Sequence, residues 1–217
     1  MPASKPQVAI IGAGVAGLAA AIRAAAAGRE VTVIEQASEP GGKLREEQHG
    51  AYRFDVGPSL FTWPELVLEL DELARGAVPN SPALPPPFAY RQLDRSTHYF
   101  WEDGTRLTAW SDSERFAQEC ADKLEVNASI VANHLAHSTQ SFHATRRIFL
   151  EQSLHEWNGN SNGKWSAAAR FAHRLPWLGT LHSWNRKRLK EPHLVQLFDR
   201  YATYNGSDPH RAPSMMH

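Results

Sequence analysis

Q-V-A-I-I-G-A-G-V-A-G-L-A-A-A-I-R-A-A-A-A-G-R-E-V-T-V-I-E, residues 7–35, decides the fold. Val8, Ile10 and Ile11 form a short β-branched run that reads as a strand buried on both faces of a parallel sheet. The strand stops at Gly12. Gly12, Gly14 and Gly17 then hold the G-x-G-x-x-G spacing: the first for a tight turn, the second for close approach to a pyrophosphate, the third for helix–strand packing. An alanine-rich helix is predicted over 15–27, with Gly28 just past its end. The free amides of Val15, Ala16 and Gly17 sit at its positive dipole end, which suits an anion. Val31 to Ile34 reads as the second strand and delivers Glu35, whose carboxylate is placed to accept hydrogen bonds from both hydroxyls of a ribose. The order strand, glycines, helix, strand, acid predicts a nucleotide-binding βαβ unit in an α/β fold. A carboxylate at position 35 disfavours a 2′-phosphate, which leaves NAD or FAD.

Two further segments narrow the choice. E-P-G-G-K-L-R (39–45) and F-D-V-G-P-S-L (54–60) resemble motifs of the flavoprotein superfamily that includes amine oxidases and carotenoid desaturases. By that resemblance Gly41, Gly42 and Lys43 reach an FAD pyrophosphate, and Gly57, Pro58 and Ser59 lie near the flavin ring. Lys43 stands where arginine is commoner, keeping the charge without the bidentate fork. Y-F-W-E-D-G-T (99–105) and F-D-R-Y-A-T-Y-N-G-S-D-P-H-R-A-P-S (198–214) resemble the bacterial-type phytoene desaturases and related carotenoid desaturases more specifically. The resemblance implies an FAD-dependent oxidoreductase that introduces double bonds into a long polyene such as phytoene. The alternatives are another amine-oxidase-like flavoenzyme, such as a carotenoid isomerase or an amine oxidase, and a non-catalytic remnant that binds dinucleotide weakly. Family members continue past the point matching His217 and return to complete the nucleotide domain, so a truncated product or fragment is expected. Asp199, Arg200, Tyr204 and Asp208 are the polar candidates in the last motif, and no catalytic acid or base is assigned.

The composition fits this reading. The 217 residues are 42% apolar, and Lys plus Arg balance Asp plus Glu at 23 each, so no basic field recruits nucleic acid. A single cysteine, Cys120, excludes an internal disulfide and a cysteine-cluster metal site. His134 and His137 stand three apart without an H-E-x-x-H pattern, so no metal is expected. No G-x-S-x-G elbow supports a nucleophile. The N-terminus shows no secretory h-region, and the longest apolar run is too short to span a bilayer, which points to the cytoplasm with peripheral contact to the membrane.

Along the rest of the chain, a helix is predicted from Trp63 through Leu73 with Leu66, Leu70 and Leu73 on one face. The proline-rich run 78–88 reads as a connection between residues 1–77, the first part of an FAD-binding domain, and residues 89–217, the first part of a mixed α+β substrate domain that is incomplete at its C-terminus. Strands are predicted at 90–93, 97–101 and 106–110, the last two joined by E-D-G-T as a hairpin turn. Ser111 with Glu114 reads as a capping box opening helical sequence to about Leu154, and 157–164 as a turn-rich interruption. In 170–190 aromatic and basic residues interleave. Two readings stand there: a cap helix on the core, or an interfacial segment through which a lipid-dissolved substrate enters. The oligomeric state has no signal in the sequence.

Overall fold

The computed structural model describes residues 6–58, 60–79, 81–82, 84–149 and 179–214. It divides into two compact units, Met1–Gln92 and Leu93–His217.

In the first unit β1 (Gln7–Ile11) pairs in parallel with β2 (Glu30–Ile34), Gln7 opposite Glu30 and Ile11 opposite Ile34, across α1 (Val15–Ala26). Gly28 adopts φ +77 just beyond the helix, the left-handed stop expected of it. Burial of β1 on both faces is not what forms. Val8 and Ile10 are half-buried, and Ile10 lies on the α1 side of the sheet near Gly17, while Ile11 is 88% exposed. Among the described residues this sheet has two strands and one covering helix, so a single face is packed. β3 (Glu46–His49) and β4 (Tyr52–Asp55) form an antiparallel hairpin with Arg53 paired to Glu46 at 3.3 Å. α2 (Pro64–Ala77) runs four residues beyond its predicted end and packs on α1, where Arg23 meets Glu69 at 3.0 Å. Of the expected stripe Leu70 and Leu73 are half-buried, while Leu66 is exposed and Val67 and Ala74 are half-buried beside them.

The second unit opens on the hairpin of β5 (Arg95–Phe100) and β6 (Arg106–Trp110), close to the prediction. Residues 90–93 are not a strand. They follow three consecutive prolines, and Tyr90 packs its ring on Phe61 at 6.0 Å rather than joining a ladder. The expected capping box is also displaced by one residue. Asp112, not Ser111, caps α3 (Ser113–Leu124), its Oδ1 accepting from the Arg115 amide at 2.7 Å. The Ser111 hydroxyl is committed to the Leu93 carbonyl, and its amide donates to Asp94. α4 (Ala128–Phe149) follows, then α5 (Leu181–Leu189), α6 (Pro192–Asp199) and a 3₁₀ turn, Arg200–Asn205.

The core of this unit joins Leu107 of β6, Phe116 and Cys120 of α3, Val131 of α4, Leu189 of α5 and Leu194 of α6. Complete burial of Leu194 contributes about 1.5–3 kcal/mol. Leu181, Asn185 and Leu189 lie at i, i+4 and i+8 on α5, and all three are buried, so this helix is a cap on the core along that stripe. Arg186 and Lys187 on its other side are exposed. The earlier part of the interleaved segment, Phe171, Leu175 and Trp177 included, lies outside the described residues, as does the turn-rich 157–164. Among the described residues no helix is long and apolar enough to cross a membrane.

Candidate functional site

The glycine loop is built by close approaches that only glycine allows. Gly12 takes φ +99 and donates its amide to the Ile34 carbonyl at 2.7 Å, stitching the end of β1 to the end of β2. A Cβ on Gly17 would lie 1.9 Å from the Gly12 carbonyl oxygen, so the third glycine of the motif is what lets α1 turn back against the strand. α1 begins on Gly14 with no side-chain cap and no acidic residue in its first turn. The amides of Val15, Ala16 and Gly17 are therefore open to an external anion.

The second glycine pair docks on the first. The Gly41 amide donates to the Ala13 carbonyl at 2.8 Å, Gly14 and Gly41 form a parallel bridge, and a Cβ on Gly42 would meet Gly14 Cα at 3.2 Å. Gly57 comes against Lys43 so closely that a Cβ there would lie 1.7 Å from the Lys43 carbonyl oxygen. Gly12, Gly14, Gly17, Gly41, Gly42, Lys43, Gly57 and Pro58 are thus brought into one neighbourhood, while Ser59 lies outside the described residues. Clustering of Gly57 with Lys43 through the main chain is a contact the motif spacing alone did not reveal.

Glu35 is used differently from expectation in one respect. Its Oε2 accepts from the Ala13 amide at 2.6 Å and its Oε1 from the Ala37 amide at 3.0 Å, so the carboxylate holds the loop. Hydrogen bonds from Ala37 and then Ala13 keep its carboxyl below the ordinary carboxylate range. Two bonds leave part of its acceptor capacity for hydroxyl groups. An uncapped helix end, a backbone packed tightly enough for phosphates to approach and an ionised acid at the second strand end fit a dinucleotide.

In the second unit the four polar candidates separate. Asp199 Oδ2 pairs with His182 Nδ1 at 2.6 Å, and its Oδ1 accepts from Asn185 Nδ2 at 2.8 Å. Arg200 donates to the Tyr99 hydroxyl at 2.8 Å and lies over the rings of Tyr99, Tyr201 and Tyr204 at 5.2, 5.2 and 5.9 Å. Burial, with smaller contributions from neighbouring tyrosines, pushes the Tyr99 phenol up to about 12. Tyr204 is exposed and stacked on Tyr201. Asp208 does turn work, its carboxylate accepting from the His210 amide at 2.9 Å. His134 is buried with its ring 4.5 Å from that of Phe198, and the His137 ring stands 5.1 Å from Trp184. Sequence reasoning missed His182 and Asn185. The available signal was an asparagine on the apolar stripe of α5, which demands a buried polar partner.

Fold and loop together define a protein with a Rossmann-like dinucleotide-binding unit. A family model described as an NAD(P)-binding Rossmann-like domain matches residues 10–70. Along nearly its whole length the chain is similar to curated carotenoid desaturases and to a diaponeurosporene oxygenase. It is 41% identical over 210 residues, 95% of this chain and 41% of the relative, to the 1-hydroxycarotenoid 3,4-desaturase of Flavobacterium sp. (strain P99-3). It is 32% identical over 222 residues, 98% of this chain and 42% of the relative, to the hydroxyneurosporene desaturase of Rhodobacter capsulatus. With the 4,4′-diaponeurosporene oxygenase of Staphylococcus aureus (strain USA300) identity is 23% over 95% of this chain and 40% of the relative. The chain spans about two fifths of the length of these curated relatives.

Proposed function

We propose that the protein belongs to an FAD-dependent oxidoreductase that introduces a double bond into a long polyene, with hydroxylated carotenoids as the substrate class. The observation that carries the reading is 41% identity, over 95% of the chain, to a desaturase of a 1-hydroxycarotenoid. An unactivated hydrocarbon has no group to ionise, so the reaction needs an electron acceptor, and FAD when bound supplies that acceptor. The chain's own residues bind and orient. The amides of Val15, Ala16 and Gly17 hold the pyrophosphate, and Lys43 adds a positive charge beside it. Glu35 takes the ribose hydroxyls with the lone pairs that Ala13 and Ala37 leave free. Gly57, held against Lys43, and Pro58 would lie near the flavin ring. A carotenoid resides in lipid, and the exposed Arg186 and Lys187 of α5 suit peripheral contact with an anionic cytoplasmic membrane surface.

Incubation of the protein with FAD and detergent-dispersed hydroxylated carotenoid, followed by chromatography and visible absorbance, tests the reading. A product with a longer conjugated system and a red-shifted band is expected. Unchanged carotenoid in the presence of protein shown to retain FAD would contradict it.

A further inference from the structure

The second unit contains a cleft of about 870 Å³ lined by its own residues. Tyr99, Trp101 and Val195 form apolar wall, and His182, Asp199 and Arg200 supply polar groups. Arg200 is already committed to the tyrosine rings and to the Tyr99 hydroxyl. His182 is not. Asp199 takes only its Nδ1, and among the described residues its Nε2 makes no hydrogen bond.

The arrangement around that ring sets what Nε2 can do. An ionised carboxylate can only accept, so Nδ1 carries a proton and Nε2 is the ring nitrogen left to hydrogen-bond a hydroxyl, which can both donate and accept. Asn185, fully buried, holds Asp199 from the other side, and its Oδ1 has no partner among the described residues, so burial of this amide is costly and its benefit falls on Asp199. The His210 ring lies 4.1 Å from that of His182, and the His182 amide donates to Pro209 at 3.0 Å. The cleft therefore presents an oriented imidazole nitrogen beside an aromatic wall.

We propose that this cleft binds the hydroxyl-bearing end of a long polyene, with His182 Nε2 hydrogen-bonded to the terminal alcohol and the chain lying along Tyr99 and Trp101. The inference rests on the carotenoid reading above and adds the residues that select the hydroxyl. A polyene lacking the alcohol would desolvate Nε2 without replacing its water, and so is discriminated against. Asp199 and Asn185 act through His182 as positioning residues.

Induced circular dichroism in the polyene absorption band measures this without turnover. The protein is titrated in detergent with two carotenoids of identical conjugation, one with a terminal hydroxyl and one without. The hydroxylated compound is expected to bind about 5- to 10-fold more tightly. His182→Phe should bring the ratio to about one, and His182→Gln, whose side-chain amide can still hydrogen-bond a hydroxyl, should retain part of it. Equal affinities for the unaltered protein, or a preference that survives His182→Phe, would overturn the assignment while leaving the carotenoid reading intact. No induced signal from either polyene would count against both. Should His182→Phe fail to fold by far-ultraviolet circular dichroism, the ratio in the unaltered protein and its partial retention in His182→Gln decide the matter.

Discussion

Glu35 Oε2 at the end of the second strand accepts a hydrogen bond from the Ala13 amide at 2.6 Å, inside the glycine loop. The acid proposed to hold the adenosine ribose thus also fixes the loop proposed to hold the phosphates. Glu35→Gln keeps one oxygen acceptor but cannot serve both the Ala13 and Ala37 amides. Dinucleotide affinity should fall roughly tenfold, measured by titration, which corresponds to one charge-assisted hydrogen bond lost.

The same pair predicts a pH dependence. Backbone amides lower the folded pKa of Glu35 from its ordinary 4.5, so its tie to the loop is fully present above 4.5 and is lost as pH falls through the lower folded value. Bound dinucleotide should be released on acidification below pH 4.5, with Glu35→Gln showing a flatter profile. An unaltered release curve in that variant would reassign the titration to another group.

Close packing of the loop gives a steric prediction. Gly17→Ala would put a Cβ 1.9 Å from the Gly12 carbonyl, a backbone atom that cannot step aside cheaply. The first unit should lose about 1–3 kcal/mol in denaturant unfolding. Gly76→Ala near the end of α2 has open space around it and a helical backbone, so it should gain about 0.5 kcal/mol.

His193 carries the opposite sign of pH dependence. Its Nδ1 pairs with Glu191 at 2.7 Å and its Nε2 with Asp103 at 2.8 Å, linking the start of α6 to the turn between β5 and β6. The Glu191 bond is the larger cause raising its pKa above the ordinary 6.5, with Asp103 adding to it against partial desolvation. The stabilisation is fully present below pH 6.5 and is lost as pH rises through the raised folded value. Thermal midpoints should therefore fall on the alkaline side of 6.5, and His193→Gln should remove that slope.

How far the fold could be read in advance follows from the range of the forces involved. The βαβ unit was legible because β-branched strands, spaced glycines and an alanine-rich helix are local features, and each needs only its neighbours in sequence. The β5–β6 hairpin was legible from E-D-G-T for the same reason. Residues 90–93 misled because a strand was read there from local residue types, whereas the Tyr90 ring packs on Phe61. The β3–β4 hairpin was announced on one strand only: Tyr52 and Phe54 alternate with Arg53 and Asp55, but Glu46, Glu47 and Gln48 across from them offer no apolar position. The cluster of His182, Asn185 and Asp199 was out of reach because its members meet only when α5 packs on α6. Asn185 on the buried stripe of α5 was the one visible clue.

Cys120 offers an independent check on the second unit. The thiol is fully buried in the core, and burial pushes its pKa up to about 12. It should resist a thiol-specific reagent at pH 8 in the native protein and react fully after denaturation. Rapid native labelling would mean that the core of α3, α4 and α6 opens readily.

The most direct test of the central claim is titration of the protein with FAD and, separately, with FMN, followed by quenching of flavin fluorescence. FMN has the flavin ring but lacks the second phosphate and the adenosine for which the loop and Glu35 are proposed. Saturable binding of FAD, with FMN at least about tenfold weaker, is the predicted result. Equal binding of the two, or no saturable binding of FAD, would contradict the account.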